Sequence, residues 1–317
     1  MPKRSVAKFR KSTARRVPAT HSLKRRPFRT IVIAGVGLIG GSIGMAVRKK
    51  RLADEVIGLG PDEAELKRAV ALKAIDAYAT DHRKIKKAVG KADLVVLAAP
   101  VGRLETTARD LCSALPKNSV VTDVGSVKGS LVRRLEDLFS PDASSRSRFV
   151  GGHPIAGRET SGVGSASADL FSGALCILTP TDRTDPEAVS TVERFWEAVG
   201  TRTVSMDPDL HDRILAIVSH LPHLVAYALV NTVLELQSKT DDLLGYSGGG
   251  LRDFTRVAAS SPEMWRDICL FNRENLLAVI EAYEKTLDRL KRLMVAGNAE
   301  GLRHEFERAK TVKAKIK

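Results

Sequence analysis

The chain carries two different hydrophobic periods. From Arg29 to Met206, short β-branched apolar runs alternate with stretches whose apolar residues recur every three or four positions. Apolar runs of four to eight residues closed by Gly or Pro read as buried strands, and the stretches between them as helices packed on a sheet. Strands are expected over 29–35 (RTIVIAG), 55–60, 93–100 (DLVVLAAP), 119–126 (SVVTDVGS), 174–180 (ALCILTP) and 201–206. Helices are expected over 38–50, 62–74, 104–114 and 186–199. This alternation predicts an α/β fold: a Rossmann-like, doubly wound parallel sheet covered on both faces. After Met206 the strand signal stops. Asp207-Pro208 opens a helical pattern that runs to Leu236, with a kink expected at Pro222. Ser261 and Pro262 give a cap and a first-turn proline for a second long helix, and Gly297-Asn298 a stop. Along that helix Ile280, Tyr283, Leu287, Leu290 and Met294 form an apolar stripe. The expected division is an extension over 1–28, a sheet domain over 29–205 and an all-helical domain over 206–317.

Composition changes this picture mainly at the N-terminus. Eleven of the 51 lysines and arginines lie within residues 1–29, which contain no Asp or Glu. The remainder is close to balance against 37 acidic residues, so the net charge of +14 belongs to the tail. The tail has no apolar segment of the kind a secretory signal needs. An unstructured extension, a targeting segment and a polyanion-binding arm all fit its composition. Elsewhere, 43% hydrophobic and 28% charged residues are those of an ordinary globular protein, and no uninterrupted apolar run long enough to cross a bilayer is expected. Cys112, Cys176 and Cys269 are scattered and odd in number. They point to a reducing compartment, hence a cytoplasmic location, with the basic tail leaving organelle targeting open.

Candidate chemistry starts at Gly35-Val-Gly37-Leu38-Ile39-Gly40, a G-x-G-x-x-G turn that follows a strand and opens a helix. The first glycine allows the tight turn, the second lets the backbone approach a pyrophosphate, and the third lets helix and strand pack closely. The expected cofactor is NAD or NADP, with NAD slightly favoured. An acidic residue normally ends the second strand to hold the ribose 2′-hydroxyl. Gly60 stands there, and Asp62 either substitutes for that acid or caps the next helix. Further on, the Asp123–Gly129 stretch DVGSVKG leaves the carboxyl end of a strand, where open α/β sheets place ligands. Gly151-Gly-His153-Pro154-Ile-Ala-Gly157-Arg-Glu159 reads as a glycine-lined loop. Its histidine is either incidental or suited to proton transfer near neutral pH. His220 and His223 lie at a spacing that can bind metal, yet no carboxylate or thiol cluster accompanies them, and no metal is expected.

Taken in order, GVGLIGGSIG, DVGSVKG, GGHPIAGRETSG, SHLPH (219–223), GGGLRDFTR and MWRD resemble the prephenate dehydrogenase family over nearly all of residues 29–317. The resemblance implies an enzyme that oxidatively decarboxylates prephenate in tyrosine biosynthesis, passing a hydride to NAD(P). It makes His153 the base at the substrate's ring hydroxyl and Ser126 its neighbour. Arg256 would hold a substrate carboxylate, with His223, Glu159, Asp253 and Trp265 in the pocket. Gly35, Gly37, Leu38, Ile39, Gly40, Pro100 and Asp123 would contact the cofactor. It also implies a homodimer joined through 206–317, a small-molecule substrate, and neither a membrane nor a nucleic-acid partner. Arogenate is the alternative substrate. A generic two-domain hydroxyacid or imine reductase lacks the HPIAG and DFTR pair. A nucleotide-sensing regulator would use the basic arm, but the intact catalytic candidates argue against it.

Overall fold

The computed structural model describes residues 26–140, 145–237 and 243–315. The basic extension lies outside them as far as residue 25. Its last side chain, Arg26, donates to the Ala53 carbonyl at 2.6 Å.

Eight strands form one sheet: β1 (Phe28–Ala34), β2 (Ala53–Leu59), β3 (Ala77–Ala79), β4 (Leu94–Leu97), β5 (Val120–Asp123), β6 (Phe149–Ile155), β7 (Leu175–Thr179) and β8 (Arg202–Ser205). Their order across the sheet is β3-β2-β1-β4-β5-β6-β7-β8. Six helices accompany them: α1 (Leu38–Lys49), α2 (Glu63–Ala71), α3 (His82–Val89), α4 (Val101–Cys112), α5 (Gly129–Leu138) and α6 (Pro186–Val199). Successive side chains of a strand face opposite ways. Ile31 and Ile33 therefore enter one core with Ile43, Phe195 and Trp196, under α1 and α6. Val32 and Ala34 enter the other with Leu104, Leu131 and Leu135, under α4 and α5. The expected doubly wound α/β sheet is what forms.

Two strands depart from expectation. β3 forms where no strand was expected. Residues 149–155 form strand β6 rather than a loop, and β7 runs antiparallel to it, with His153 opposite Ile177. The connection 156–174 contains only a short 3₁₀ turn, Val163–Ser165, so it cannot make the helical crossover a parallel pair needs. It returns along the same edge and lays Val163 and Ala166 over Gly41 of α1.

After β8 every described element is helical: α7 (Pro208–Leu215), α8 (Leu221–Leu236), α9 (Gly249–Thr255), α10 (Pro262–Phe271), α11 (Arg273–Val295) and α12 (Ala299–Lys313). The kink expected at Pro222 appears one turn earlier, as a π turn over Ala216–His220. Proline has no N–H for the Val218 carbonyl and its ring crowds that group, so the distortion falls on the preceding turn. The helix opened by Ser261 breaks at Asn272, whose side-chain Nδ2 donates to the Asp212 carbonyl at 2.8 Å while its backbone N–H closes the last turn on Ile268 at 3.0 Å. α10 places Trp265 and Ile268 in the same core as α4 and α5, which joins the helices to the sheet.

By length and composition alone, the span Pro208–Leu236 is long and apolar enough to cross a membrane, a test that the core helix of a soluble protein also passes. The run is not uninterrupted, as expected from the sequence: His211, His220, Pro222 and His223 break it without lowering its average far. Val230, Leu234 and Leu236 stand exposed along it.

Candidate active site

The glycine turn is built as a cradle. Gly35 has a φ of +101°, and a Cβ there would fall 2.6 Å from the Ala98 carbonyl oxygen. At Gly37 a Cβ would meet nothing within 4 Å, so the space beside this residue is open. Gly40 and Gly44 serve packing instead, since side chains there would strike the Gly35 and Ala74 carbonyls. α1 begins at Leu38 with neither a side-chain cap nor an acid in its first turn, which leaves its N-terminal amides for an anion. These features fit a dinucleotide pyrophosphate. Leu38 and Ile39 open α1, and Pro100 is the exposed residue that caps α4. Asp62 Oδ1 accepts from the Ala64 and Glu65 amides at 2.9 and 3.1 Å, so it caps α2.

The Asp123 side chain is turned into the protein. It is fully buried, and its carboxylate lies 2.5 Å from Lys128 Nζ, also fully buried. It further accepts from the Gly125 amide at 2.8 Å and the Gly152 amide at 3.0 Å. With these partners taken up inside the protein, it ties the end of β5 to β6.

β6 sets His153 against the helical half of the chain. Its Nδ1 lies 2.8 Å from Nε2 of His211 on α7, and His211 Nδ1 lies 2.8 Å from Asp212 Oδ1. The order of donors follows from the end of the chain. A carboxylate only accepts, so His211 Nδ1 carries the proton and its Nε2 accepts from His153 Nδ1. His153 Nε2 is then a bare lone pair. Burial lowers the His153 pKa well below 6.5, and His211, Lys128 and His220 add to the effect. Burial likewise lowers His211, against the opposing hydrogen bond and charge of Asp212. The pair is neutral at physiological pH.

The remaining candidates divide. Ser126 is half-buried and makes no side-chain hydrogen bond among the described residues, to His153 or otherwise. Arg256 is ion-paired with Glu159, which joins the helical half to the connection after β6. Asp253 is exposed on α9. His223 donates from Nδ1 to the Ser219 carbonyl at 2.9 Å and stacks on Trp265, ring centroids 3.9 Å apart. His220 meets the same indole edge-on at 6.0 Å, and burial pushes its pKa down to about 4. His220 Nδ1 and His223 Nδ1 are engaged by Asn272 and Ser219 respectively. His211, Asp212, Lys128 and Asn272 are absent from the sequence-based site. Lys128 lies inside the DVGSVKG motif, but nothing local to it shows that its side chain turns inward.

This arrangement joins a pyrophosphate cradle at the end of β1 to a neutral, oriented imidazole on β6 of the same sheet, which suits hydride transfer coupled to removal of a hydroxyl proton. The comparisons agree. A family model described as the prephenate dehydrogenase nucleotide-binding domain matches residues 43–205, and one described as its dimerization domain matches 207–308. Prephenate dehydrogenase of Bacillus subtilis is 35% identical over 282 residues, covering 89% of this chain and 74% of the relative. Cyclohexadienyl dehydrogenase of Zymomonas mobilis is 35% identical over 293 residues, covering 92% and 97%. A crystal structure of Aquifex aeolicus prephenate dehydrogenase with hydroxyphenyl propionate and NAD+ superposes with a TM-score of 0.85 at 40% identity, covering 91% of this chain and 98% of that one. With both domain models matched in order, the chain belongs to the prephenate dehydrogenase family.

Proposed function

We propose that this chain oxidises and decarboxylates prephenate to 4-hydroxyphenylpyruvate, a step of tyrosine biosynthesis. The observation that carries the reading is His153, buried, neutral and held with Nε2 free by the hydrogen bond to His211. Bound NAD(P) supplies the hydride acceptor. Gly35, Gly37 and the first turn of α1 hold its pyrophosphate. His153 Nε2 takes the proton of the ring hydroxyl as the C–H electron pair leaves as hydride. The carbonyl so formed lies para to the ring carboxylate, which departs as carbon dioxide and leaves an aromatic ring. NAD is slightly favoured because Gly60, Pro61 and Asp62, directly after β2, include no arginine to hold a 2′-phosphate. The test is a steady-state matrix of prephenate and arogenate against NAD and NADP, read by reduced-cofactor absorbance. Turnover of neither substrate overturns the reading. Arogenate is carried as a second substrate because the Zymomonas relative, matched along almost its whole length, is named for a broader cyclohexadienyl activity.

Arg256 is proposed to receive a substrate carboxylate. Its guanidinium is largely exposed and already holds one carboxylate, that of Glu159, so an incoming one exchanges with it or joins it. Arg256→Ala is expected to raise KM about tenfold or more while kcat changes less, since hydrogen bonds to charged groups contribute about 1.5–3 kcal/mol. An unchanged KM assigns Arg256 to structure alone.

A homodimer is proposed through 206–317. Val230, Leu234, Leu236, Leu270 and Leu277 are exposed on its helices, and in the stripe on α11 Leu287 and Met294 are exposed while Ile280, Tyr283 and Leu290 are only half-buried. A two-fold pairing covers such surfaces in the commonest closed arrangement. Light scattering is expected to give twice the 34.4 kDa chain mass. A monomer with full activity at micromolar concentration counts against it.

A further inference from the structure

Resting on the reading of His153 as the base, we infer that Asp212 is the positioning residue of the reaction, using one carboxylate to fix the proton order of the two imidazoles and to latch the helical half onto the sheet. Four contacts carry this. Asp212 Oδ1 lies 2.8 Å from His211 Nδ1 and accepts the Lys128 amide at 2.8 Å, while Oδ2 accepts the Gly129 amide at 2.8 Å. The Asn272 side chain donates to the Asp212 carbonyl at 2.8 Å and thereby holds the backbone as well. α5 has no side-chain cap of its own. The carboxylate that satisfies its first amides therefore comes from α7, at a separation of 83 and 84 residues. Asp212 is nearly buried, at 4% exposure, so its orientation is set by these donors rather than by water.

Proton order depends on that carboxylate. Asp212 compels His211 to present Nδ1–H, so that His211 Nε2 accepts from His153 and leaves His153 Nε2 bare. An asparagine amide in its place can donate to His211 Nδ1 and invert the chain, which moves the His153 proton onto the atom that should receive one. The latch and the chain share the same oxygens. Docking α7 against α5 therefore orients the base.

Two variants and one spectrum test this. Asp212→Asn is expected to lower kcat by about 10²–10⁴-fold with KM nearly unchanged, by analogy with loss of the orienting carboxylate in catalytic triads. Gly129→Ala alters no charge and suits a helix, but its Cβ would lie 2.8 Å from Asp212 Oδ2. It is expected to cost kcat about tenfold by displacing the carboxylate. Long-range ¹⁵N–¹H correlation on the full chain is expected to show both His153 and His211 protonated at Nδ1, and Asp212→Asn to disturb that pattern. A wild-type His153 protonated at Nε2 overturns the inference without any variant. So does Asp212→Asn with kcat within about twofold of wild type, or with lowered kcat but unchanged imidazole tautomers. If His153→Asn retains turnover the base reading itself falls. If only the Asp212 results fail, that reading stands.

Discussion

Replacing His153 with asparagine is expected to lower kcat at least about 10²-fold, with little change in KM, because general-base assistance contributes about 10²–10⁴-fold. Asparagine keeps a donor to reach His211 Nε2, so the fold and the hydrogen-bonded partner survive while the proton acceptor is lost. Near-normal turnover in this variant removes His153 from the mechanism. The wild-type pH profile supplies a second check. A general base works when deprotonated, and the His153 pKa is lowered well below 6.5 by burial and by the nearby His211, Lys128 and His220. The acid limb of kcat/KM is therefore expected below pH 6.5, with activity flat from there through neutrality. Asp212 and Asp123 oppose the corresponding shift of His211 itself, and Cys176, hydrogen-bonded across the β6–β7 pair, stays a neutral thiol because burial raises its pKa. An acid limb centred above pH 7 contradicts the environment described.

How far the site was legible depended on the distance over which each constraint acts. The cradle was legible because its demands are local: the turn at Gly35, the open space at Gly37 and the close packing at Gly40 all follow from ten consecutive residues. The same local logic misread β6. Gly151, Gly152 and Pro154 are loop signals by composition, yet a Cβ on Gly152 would lie 2.8 Å from the Asp123 carbonyl oxygen. Gly152 is there so that two strands and a buried ion pair can close on one another. The inward pairing of the Asp123 side chain escaped the sequence for a related reason. A carboxylate at a strand's end suggests a ligand contact, and only the folded path of Lys128 shows that its charge is already matched. The histidine relay was not legible at all. His153 and His211 are 58 residues apart and meet only because α7 docks on α5, a contact no periodicity encodes.

Lys128→Met is expected to be the most destabilising of these substitutions, costing about 3–5 kcal/mol. Lys128 and Asp123 are both fully buried, 2.5 Å apart, and methionine fills most of the stem's volume while removing the charge. The Asp123 carboxylate keeps its two amide donors from Gly125 and Gly152, but its compensating cation is gone. A thermal midpoint lower by on the order of 10 °C should follow, and Asp123→Asn added to it should restore part of the loss, since the unpaired charge then disappears as well. A single variant that melts with the wild type shows the pair to be dispensable. The surviving activity gives an independent reading. Lys128 is one of the charges that hold the His153 pKa down, so its removal raises that pKa. The acid limb should then move to higher pH, whereas a purely structural lysine would lower the midpoint and leave the limb in place.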